Sequence, residues 1–248
     1  MNYQILFCII ALFSTAFAAP TQWRTLEPGL QYTQVYQTPG FPIGAIHAFK
    51  INLKKYRLDL VFTKNYERPL ILVKDLVETQ EALLGINGGF FSPNLIALGL
   101  RIIDGEQISP LKHISWWGVF YIKNNRPYIV SQRDFKKSSR ISFAVQSGPR
   151  LVINGRIPSL KPGWSFRSAL GITKKGEVII AITNRLPITT NTFANILRTS
   201  MKDGGLACTN ALNLDGGSSS QLYAEIGGFH LNIPSLAPIS DAILVFPK

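Results

Sequence analysis

Two stretches of this chain share one pattern, in which an apolar run ends in a short polar residue followed by two glycines. Residues 83–91 read LLGINGGFF and residues 211–220 read ALNLDGGSSS. Each apolar run predicts a short buried strand, and the glycines favour a tight turn because they tolerate positive φ and let another backbone or a ligand come close. We therefore predict that two strand ends meet in one cleft, one carrying Asn87 and the other Asp215.

Each stretch taken alone has a simpler interpretation, since Asn-Gly and Asp-Gly are the strongest signals of a type I′ hairpin turn. The functional interpretation rests on Asn87, Asn213 and Asp215, three polar residues in or at the end of otherwise apolar runs. An unpaired polar group is costly in such surroundings. We therefore expect a functional cleft with Asp215 at its bottom.

The first 18 residues have the pattern of a signal peptide. Residues 5–13 are apolar, and Ala16, Phe17 and Ala18 form an A-x-A cleavage site, although no Lys or Arg precedes the apolar run. We predict an exported protein, periplasmic or secreted, with a signal peptide at 1–18 and one domain at 19–248. No later run approaches the roughly 20 apolar residues that span a bilayer, so we expect no transmembrane segment.

Cysteine and charge content limit the chemistry. Cleavage after residue 18 leaves Cys208 alone, which excludes an intramolecular disulfide and a Cys-ligated zinc site. We expect no cofactor and assign no metal ligands, and whether a divalent cation binds Asp215 and Asn87 is left open. The chain has 26 basic and 14 acidic residues, a net charge of +12, which favours anionic partners such as phosphorylated glycans, envelope polymers or nucleic acid. A generally basic exported protein explains the charge equally well. The oligomeric state is left open.

Strand and hairpin signals outnumber helix signals. Hairpin turns are predicted at Asp104-Gly105, Asn124-Asn125, Asn154-Gly155 and Lys175-Gly176. Amphipathic patterns predict helices over 70–82 and 192–202, the second capped by Thr190, Asn191 or Thr192. Both helices lead into the strands that precede the Gly-Gly turns. We predict an α+β fold, a single domain with a mixed β-sheet or two packed sheets and a few flanking helices.

Common catalytic motifs are absent from the sequence. It contains no P-loop, no G-x-G-x-x-G, no G-x-S-x-G and no H-E-x-x-H, and its three histidines are not clustered. Ser218, Ser219 and Ser220 have no evident base. Serine-hydrolase and His-metal chemistry are therefore disfavoured.

Trp116 and Trp117 are interpreted as core or sugar-stacking aromatics, and Arg167 lies between an aromatic segment and a predicted buried strand.

Five ordered segments resemble the phosphodiester glycosidase family. They are Asn87-Gly88-Gly89-Phe90-Phe91, Gly99-Leu100, Ser147-Gly148-Pro149, Arg167-Ser168-Ala169 and residues 210–219. The resemblance runs from about residue 43 to the C-terminus. It implies hydrolysis of a sugar-1-phosphodiester or related anionic glycan, not of nucleic acid, in a surface cavity lined by these motifs. Many relatives carry Asp-Gly-Arg after the strand ending at 183, where this chain has Asn184-Arg185.

The chemistry of the leaving group explains why one carboxylate can be enough. Ordinary glycosidases use two carboxylates because their alkoxide leaving group needs a general acid. A phosphate monoester has a second pKa of about 6 and departs at neutral pH with little protonation. One carboxylate and a cationic phosphate site rich in amides would then suffice.

We assign catalytic roles to three residues on this basis. Asp215 is the nucleophile or general base, Arg167 binds the phosphate, and Asn87 holds a sugar hydroxyl or a phosphate oxygen. The expected substrate-binding residues supply backbone amides, hydroxyls or contact surface, and they are Gly88, Gly89, Phe90, Ser147, Gly148, Gly216, Gly217 and Ser218. Glu225 is a reserve second carboxylate. Two alternatives remain open, a noncatalytic binder of anionic glycans and a phosphodiesterase that attacks phosphorus.

Overall fold

The protein is described from a computed structural model that covers residues 19–38, 41–66, 71–235 and 237–248, with no side-chain description at 37, 38 and 41–43. The predicted signal peptide at 1–18 lies outside the described residues, and so does residue 70, the first of the predicted helix over 70–82. No helix within the described ranges is both long enough and apolar enough to cross a membrane.

The described chain forms 19 strands and two α-helices. In chain order they are β1 (Arg24–Glu27), β2 (Leu30–Thr38), β3 (Phe41–Ile51), β4 (Tyr56–Phe62), α1 (Val73–Thr79), β5 (Leu84–Asn87), β6 (Arg101–Ile103), β7 (Glu106–Ser109), β8 (Gly118–Lys123), β9 (Arg126–Ser131), β10 (Ile141–Ser147), β11 (Arg150–Val152), β12 (Trp164–Ser165), β13 (Ser168–Thr173), β14 (Val178–Asn184), β15 (Ile188–Thr189), α2 (Thr190–Arg198), β16 (Cys208–Asn213), β17 (Leu222–Ile226), β18 (Phe229–Ile233) and β19 (Asp241–Pro247).

The strands form three large sheets and one small ribbon. The first sheet has seven strands in the order β1-β2-β3-β14-β13-β16-β11, and the second has five in the order β18-β17-β5-β19-β4. The third sheet has the order β7-β6-β10-β8-β9, and β12 pairs with β15 in the ribbon. The fold is therefore mostly β, and the predicted hairpins at residues 104–105, 124–125, 154–155 and 175–176 are confirmed.

The prediction of a mixed sheet is wrong, because all strand pairs in the described ranges are antiparallel. Helix α1 does connect two strands that run in the same direction, β4 and β5, but β19 lies between them and is antiparallel to both. Helix α2 lies between β14 and β16, which β13 separates in the same way. A third strand thus fills the position where a direct parallel pair would form.

The hydrophobic core lies between the three sheets. Its central cluster takes Phe49 and Ile180 from the first sheet, Ile86 from the second, and Phe120 and Phe143 from the third. The outer face of the first sheet packs on α2, and the outer face of the second packs on α1. Strands buried on both faces explain why the runs before the two Gly-Gly turns are almost wholly apolar.

Both helices are shorter than predicted. Helix α1 covers Val73–Thr79 and buries Val73, Leu76 and Val77, as its apolar pattern predicts. Helix α2 covers Thr190–Arg198, and its N-cap is Thr189, whose hydroxyl accepts a hydrogen bond from the Thr192 amide at 3.1 Å. The cap therefore lies one residue before the three predicted candidates, because Thr189 is still in extended backbone at the end of β15.

Candidate active site

The two strand ends that precede the Gly-Gly turns lie side by side. The Asp215 amide donates to the Gly88 carbonyl oxygen at 3.2 Å, and the Asn87 side-chain nitrogen donates to the Asp215 carbonyl oxygen at 2.8 Å. The side-chain oxygen of Asn87 accepts from the Ser168 hydroxyl at 2.7 Å and from the Gln221 amide at 3.2 Å. Asn87 therefore joins β5 of the second sheet to β13 and the end of β16 in the first.

A cavity of about 620 Å³ opens above this junction. Within the described ranges, Asp215 is its only lining carboxylate, and Lys161 and Arg167 are its lining cations. The other residues that line it are uncharged, and they are Phe90, Trp116, Gly148, Pro149, Ser159, Leu160, Pro162, Gly163, Ser165, Thr190, Asn213, Gly216 and Gly217. Of the predicted site residues, the cavity thus brings together Asp215, Arg167, Phe90, Gly148, Gly216 and Gly217.

Asp215 is a partly buried carboxylate with few hydrogen bonds. Its Oδ1 accepts from the Gly216 amide at 3.0 Å. Burial raises the pKa of Asp215, and the nearby Asp241 charge adds to the rise, while hydrogen bonds from Ser219 and Gly216 and the charge of Arg101 lower it. A carboxylate with this environment is suited to attack or to accept a proton, because its charged form is not strongly stabilised by the protein.

Arg167 presents a cation to the cavity without a carboxylate partner. One of its terminal nitrogens, Nη2, donates to the Gly163 carbonyl oxygen at 2.6 Å. Its Nε is buried and has no hydrogen-bond partner among the described residues, and no carboxylate oxygen in that part of the chain lies within 4.0 Å. Burial lowers the pKa of Arg167, but an arginine remains charged at neutral pH. The arrangement favours binding of an anion.

Aromatic rings form another wall of the cavity. The Phe90 ring lies 6.1 Å from that of Trp116 and 5.1 Å from that of Trp117, between ring centroids. Trp116 is 53% exposed and lines the cavity, whereas Trp117 is 5% exposed and belongs to the protein interior. Trp116 thus has the exposed position that sugar stacking requires, and Trp117 has the core position.

Asn213 and the Gly148-Pro149 segment meet at the floor. The Asn213 amide donates to the Pro149 carbonyl oxygen at 3.0 Å, and its side-chain nitrogen donates to that of Gly148 at 3.1 Å. Asn213 Oδ1 is buried and has no hydrogen-bond partner in the described ranges. The polar residue inside an apolar strand therefore binds the backbone of β16 to the segment after β10.

The remaining predicted site residues lie outside the cavity lining. Asn87 is 1% exposed, and its side chain is hydrogen-bonded to protein groups. Gly88 and Gly89 are buried, and Ser147 is fully buried on β10 with an unpaired hydroxyl among the described residues. Ser218 is exposed, and its carbonyl oxygen accepts a hydrogen bond from Ser235.

Two of the four glycine amides expected around a phosphate already bind acceptors from other segments. The Gly88 amide donates to the Asp241 carbonyl oxygen at 2.8 Å, and the Gly217 amide donates to that of Phe166 at 2.9 Å. The Gly216 amide donates to the Asp215 carboxylate. Glu225, the reserve carboxylate, accepts from the Tyr223 hydroxyl at 2.9 Å and does not line the cavity.

The sequence reasoning missed two groups of residues. Lys161, Ser165 and Thr190 line the cavity, but Lys161 lies in a loop, Ser165 in the short strand β12 and Thr190 at the start of α2, and no sequence pattern marks them as site residues. Arg101 and Asp241 form a fully buried ion pair beside the Gly88-Gly89 backbone. A signal for this pair was present, since each is a charged residue next to an apolar strand sequence, the pattern that identified Asn87 and Asp215.

The described part of the chain has no cluster of three or more His, Cys, Asp or Glu arranged to hold a metal ion.

Comparison with known proteins identifies relatives in sequence and in fold. YigE of Escherichia coli strain K12, an uncharacterised protein, is 29% identical over 160 residues, which span 58% of this chain and 63% of YigE. The catalytic domain of zebrafish N-acetylglucosamine-1-phosphodiester α-N-acetylglucosaminidase, solved auto-inhibited by its pro-peptide, superposes with a TM-score of 0.69 at 18% identity, covering 94% of this chain and 87% of that one. A hypothetical protein from Synechocystis gives a TM-score of 0.63 at 16% identity, covering 93% and 64% of the two chains.

The two solved structures share the fold at low sequence identity. The family profile described as phosphodiester glycosidase matches residues 80–246, which contain both Gly-Gly turns and every residue that lines the cavity. This chain therefore belongs to the phosphodiester glycosidase family, a family of hydrolases that act on phosphodiester-linked sugars.

Proposed function

We propose that the protein is an exported hydrolase that cleaves the glycosidic C–O bond of a sugar-1-phosphodiester, in a phosphorylated glycan or a cell-envelope polymer. One observation carries the proposal. Among the described residues, Asp215 is the only carboxylate that lines a cavity of about 620 Å³, and Arg167 in the same lining has no carboxylate partner. This combination suits a substrate whose leaving group is an anion.

The walls of the cavity suggest how the substrate lies. The sugar ring packs on Trp116 and Phe90, because the apolar face of a pyranose matches an aromatic surface. The phosphate lies towards Arg167 and Lys161, the two lining cations. The anomeric carbon then faces Asp215.

The proposed reaction needs one carboxylate. Asp215 either attacks the anomeric carbon or takes a proton from the attacking water, and in both routes the bond from that carbon to the phosphate oxygen breaks. In the first route the resulting glycosyl ester of Asp215 is then hydrolysed by water at the same carbon, which releases the Asp215 carboxylate. The phosphate monoester leaves with the bonding electron pair, and the oxygen of water ends on the sugar. One proton of that water stays on the new hydroxyl, and the other passes to the monoester or to solvent. Arg167 stabilises the negative charge that develops on the phosphate.

The positions of the buried residues modify the roles that we assign. Asn87 is proposed to hold the Asp215 turn against β13 instead of contacting substrate, since its side chain is already hydrogen-bonded to protein. The Gly88 and Gly217 amides bind carbonyl oxygens of other segments, so the phosphate contacts fall to Arg167 and Lys161.

Hydrolysis in ¹⁸O-labelled water tests the proposal. The zebrafish relative's name specifies N-acetylglucosamine, so the probes are the methyl phosphodiesters of N-acetylglucosamine-1-phosphate and of glucose-1-phosphate. Mass spectrometry of the products should find the label in the sugar. Label in the phosphate would instead support a phosphodiesterase that attacks phosphorus. Binding of the probes without any product would support a noncatalytic binder.

Export is proposed from the signal-peptide pattern alone. Expression of the full chain in a Gram-negative host, followed by fractionation and N-terminal sequencing, should find a mature form that begins at Ala19 outside the cytoplasm. An unprocessed chain that remains in the cytoplasm would contradict this part of the proposal and leave the proposed chemistry unaffected.

A further inference from the structure

Beside the floor of the cavity lies an ion pair that is shut off from solvent. Arg101 Nε donates to Asp241 Oδ2 at 3.1 Å, and both side chains are 0% exposed. The same Asp241 oxygen accepts from the Ser240 hydroxyl at 2.9 Å. A buried ion pair is weak evidence for a stabilising role, because the loss of hydration of both charges offsets much of their attraction. A contribution to stability therefore does not explain why this ion pair lies beside the cavity.

Arg101 uses its guanidinium to hold several backbone segments at once. Its Nη1 donates to the carbonyl oxygens of Leu98, Leu100 and Gln146 at 3.1–3.2 Å. Its Nη2 donates to that of Phe90 at 3.4 Å. The guanidinium thus connects the aromatic wall, which contains Phe90, with the end of β10, which leads to the cavity-lining Gly148. Only a planar group with five donors can serve so many acceptors.

The two glycines of the first turn fit against this ion pair. A Cβ added to Gly88 would lie 1.6 Å from Asp241 Oδ1, and one added to Gly89 would lie 2.8 Å from Arg101 Nη2. Neither glycine has the positive φ that would by itself favour glycine. These two positions are therefore glycine because the ion pair packs directly on their backbone.

We propose that the Arg101–Asp241 pair is the positioning element of the active site, which places Asp215 and the aromatic wall relative to each other through the Gly88-Gly89 backbone. On one side, the Asp241 carboxylate packs on the Gly88 backbone, whose carbonyl oxygen accepts from the Asp215 amide at 3.2 Å; the main-chain carbonyl oxygen of Asp241 also accepts from the Gly88 amide. On the other side, Arg101 binds the Phe90 carbonyl oxygen. The inference rests on the proposed function only in treating Asp215 as the reacting group.

The pair also sets the charge around Asp215. The groups that act on the pKa of Asp215 are Asp241, which raises it, and Arg101, which lowers it, together with burial and the hydrogen bonds from Ser219 and Gly216. Arg167 and Lys161 are the charges across the cavity. Because Asp241 and Arg101 oppose each other, removal of the Asp241 charge should leave Arg101 as an unopposed cation and lower the pKa of Asp215.

The first test is a ¹³C NMR titration of the aspartate carboxyl groups, which needs no substrate or turnover. Asp215→Asn assigns the Asp215 signal. Asp241→Asn should shift the titration midpoint of Asp215 downwards. The matched control is Asp59→Asn, which removes the acid of the surface pair Arg57–Asp59, a 3.0 Å contact, and should leave the midpoint unchanged. An Asp215 midpoint that is unchanged or raised in Asp241→Asn would overturn the inference.

The second test measures the aromatic wall. Arg101→Met removes the donor to the Phe90 carbonyl oxygen, so the indole N–H signals of Trp116 and Trp117 should shift in ¹⁵N spectra, whereas Arg57→Met should not move them. If Arg101→Met fails to fold, the double variant Arg101→Met with Asp241→Asn leaves no unpaired buried charge and takes its place in this measurement. Unchanged Trp116 and Trp117 signals would overturn the inference. Loss of glycosidase activity alone has no bearing on either readout.

Discussion

The two Gly-Gly turns look alike in the sequence and differ in the structure. The turn after Asn87 is buried, and its polar side chain binds other parts of the protein. The turn after Asp215 lines the cavity, and its carboxylate has a raised pKa. The comparison shows that one local pattern can have two environments, since one turn is buried in the protein and the other lines the cavity.

The glycines in the two turns are also required for different reasons. Gly88 leaves room for the Asp241 carboxylate, whereas Gly217 has a φ of +64°, in the left-handed region that favours glycine. Gly216 resembles Gly88, because an added Cβ would lie 2.8 Å from an atom of another segment, the Phe166 carbonyl oxygen. Sequence similarity between the turns therefore does not imply that the same substitution has the same effect in both.

The largest expected effect is that of Asp215→Asn on catalysis. Loss of this cavity-lining carboxylate should lower kcat by about 10³-fold, the range typical of an acid–base or nucleophilic group. The measurement is release of sugar from the N-acetylglucosamine-1-phosphate methyl diester.

The same variant should not lose stability. The pKa of Asp215 is raised in the fold, so ionisation is less favourable there than in the unfolded chain, and the carboxylate costs stability as pH rises through the folded pKa. At pH 7 the melting temperature of Asp215→Asn should equal or exceed that of the wild type. A variant that keeps its activity would remove Asp215 from the mechanism, and a clearly lower melting temperature would contradict the assignment of its pKa.

In the other turn, the reverse substitution, Asn87→Asp, should lower the stability of the fold. Asn87→Asp replaces the nitrogen that donates to the Asp215 carbonyl oxygen and places a charge in a buried site. We expect a loss of about 3 kcal/mol in the free energy of unfolding at pH 7. Urea unfolding measures it, and the loss should shrink at low pH, where the introduced carboxyl is protonated. If Asn87→Asp were as stable as the wild type, the difference that we draw between the buried turn and the cavity-lining turn would be wrong.

A methyl group added to the buried turn should have the next largest effect. In Gly88→Ala the new Cβ collides with Asp241 Oδ1, and we expect a loss of about 2 kcal/mol. The control is Gly228→Ala, because a Cβ at Gly228 meets no atom within 4 Å and Gly228 has no positive φ. Similar unfolding midpoints for Gly88→Ala and Gly228→Ala would contradict this prediction, because the ion pair would then move away from the added Cβ at little cost in stability.

The smallest expected effect is on the pH dependence of the wild type. Asp215 must be ionised to act as nucleophile or base, and burial raises its pKa. The acid limb of kcat/KM should therefore have its midpoint above the ordinary aspartate value of about 3.9. Measurement of kcat/KM between pH 3 and 8 at constant ionic strength tests this. A midpoint at or below the ordinary value would show that the hydrogen bonds from Ser219 and Gly216 outweigh burial.

The comparison of the turns also shows how far sequence reasoning extends. The apolar runs before Asn87 and Asp215 predict two buried strands, and both are present because a strand covered on both faces needs apolar side chains throughout. Hairpins follow from Asn-Gly and Asp-Gly pairs, whose preference for positive φ is local. The direction in which strands pair was not predictable, since β19 enters the space between β4 and β5 from the far end of the chain.

The sequence by itself determined the four hairpins, the two strands before the Gly-Gly turns, the presence of two helices and the position of Asp215 at a strand end, because these depend on side-chain periodicity and on the backbone preferences of single residues. Tertiary structure alone decided that Lys161 lines the cavity with Asp215 and Arg167, that the Asn87 side chain is buried and hydrogen-bonded to protein groups, and that Arg101 pairs with Asp241. The physical reason is distance along the chain. Burial and hydrogen bonding between residues as far apart as 101 and 241 depend on how the sheets pack, which no local pattern records.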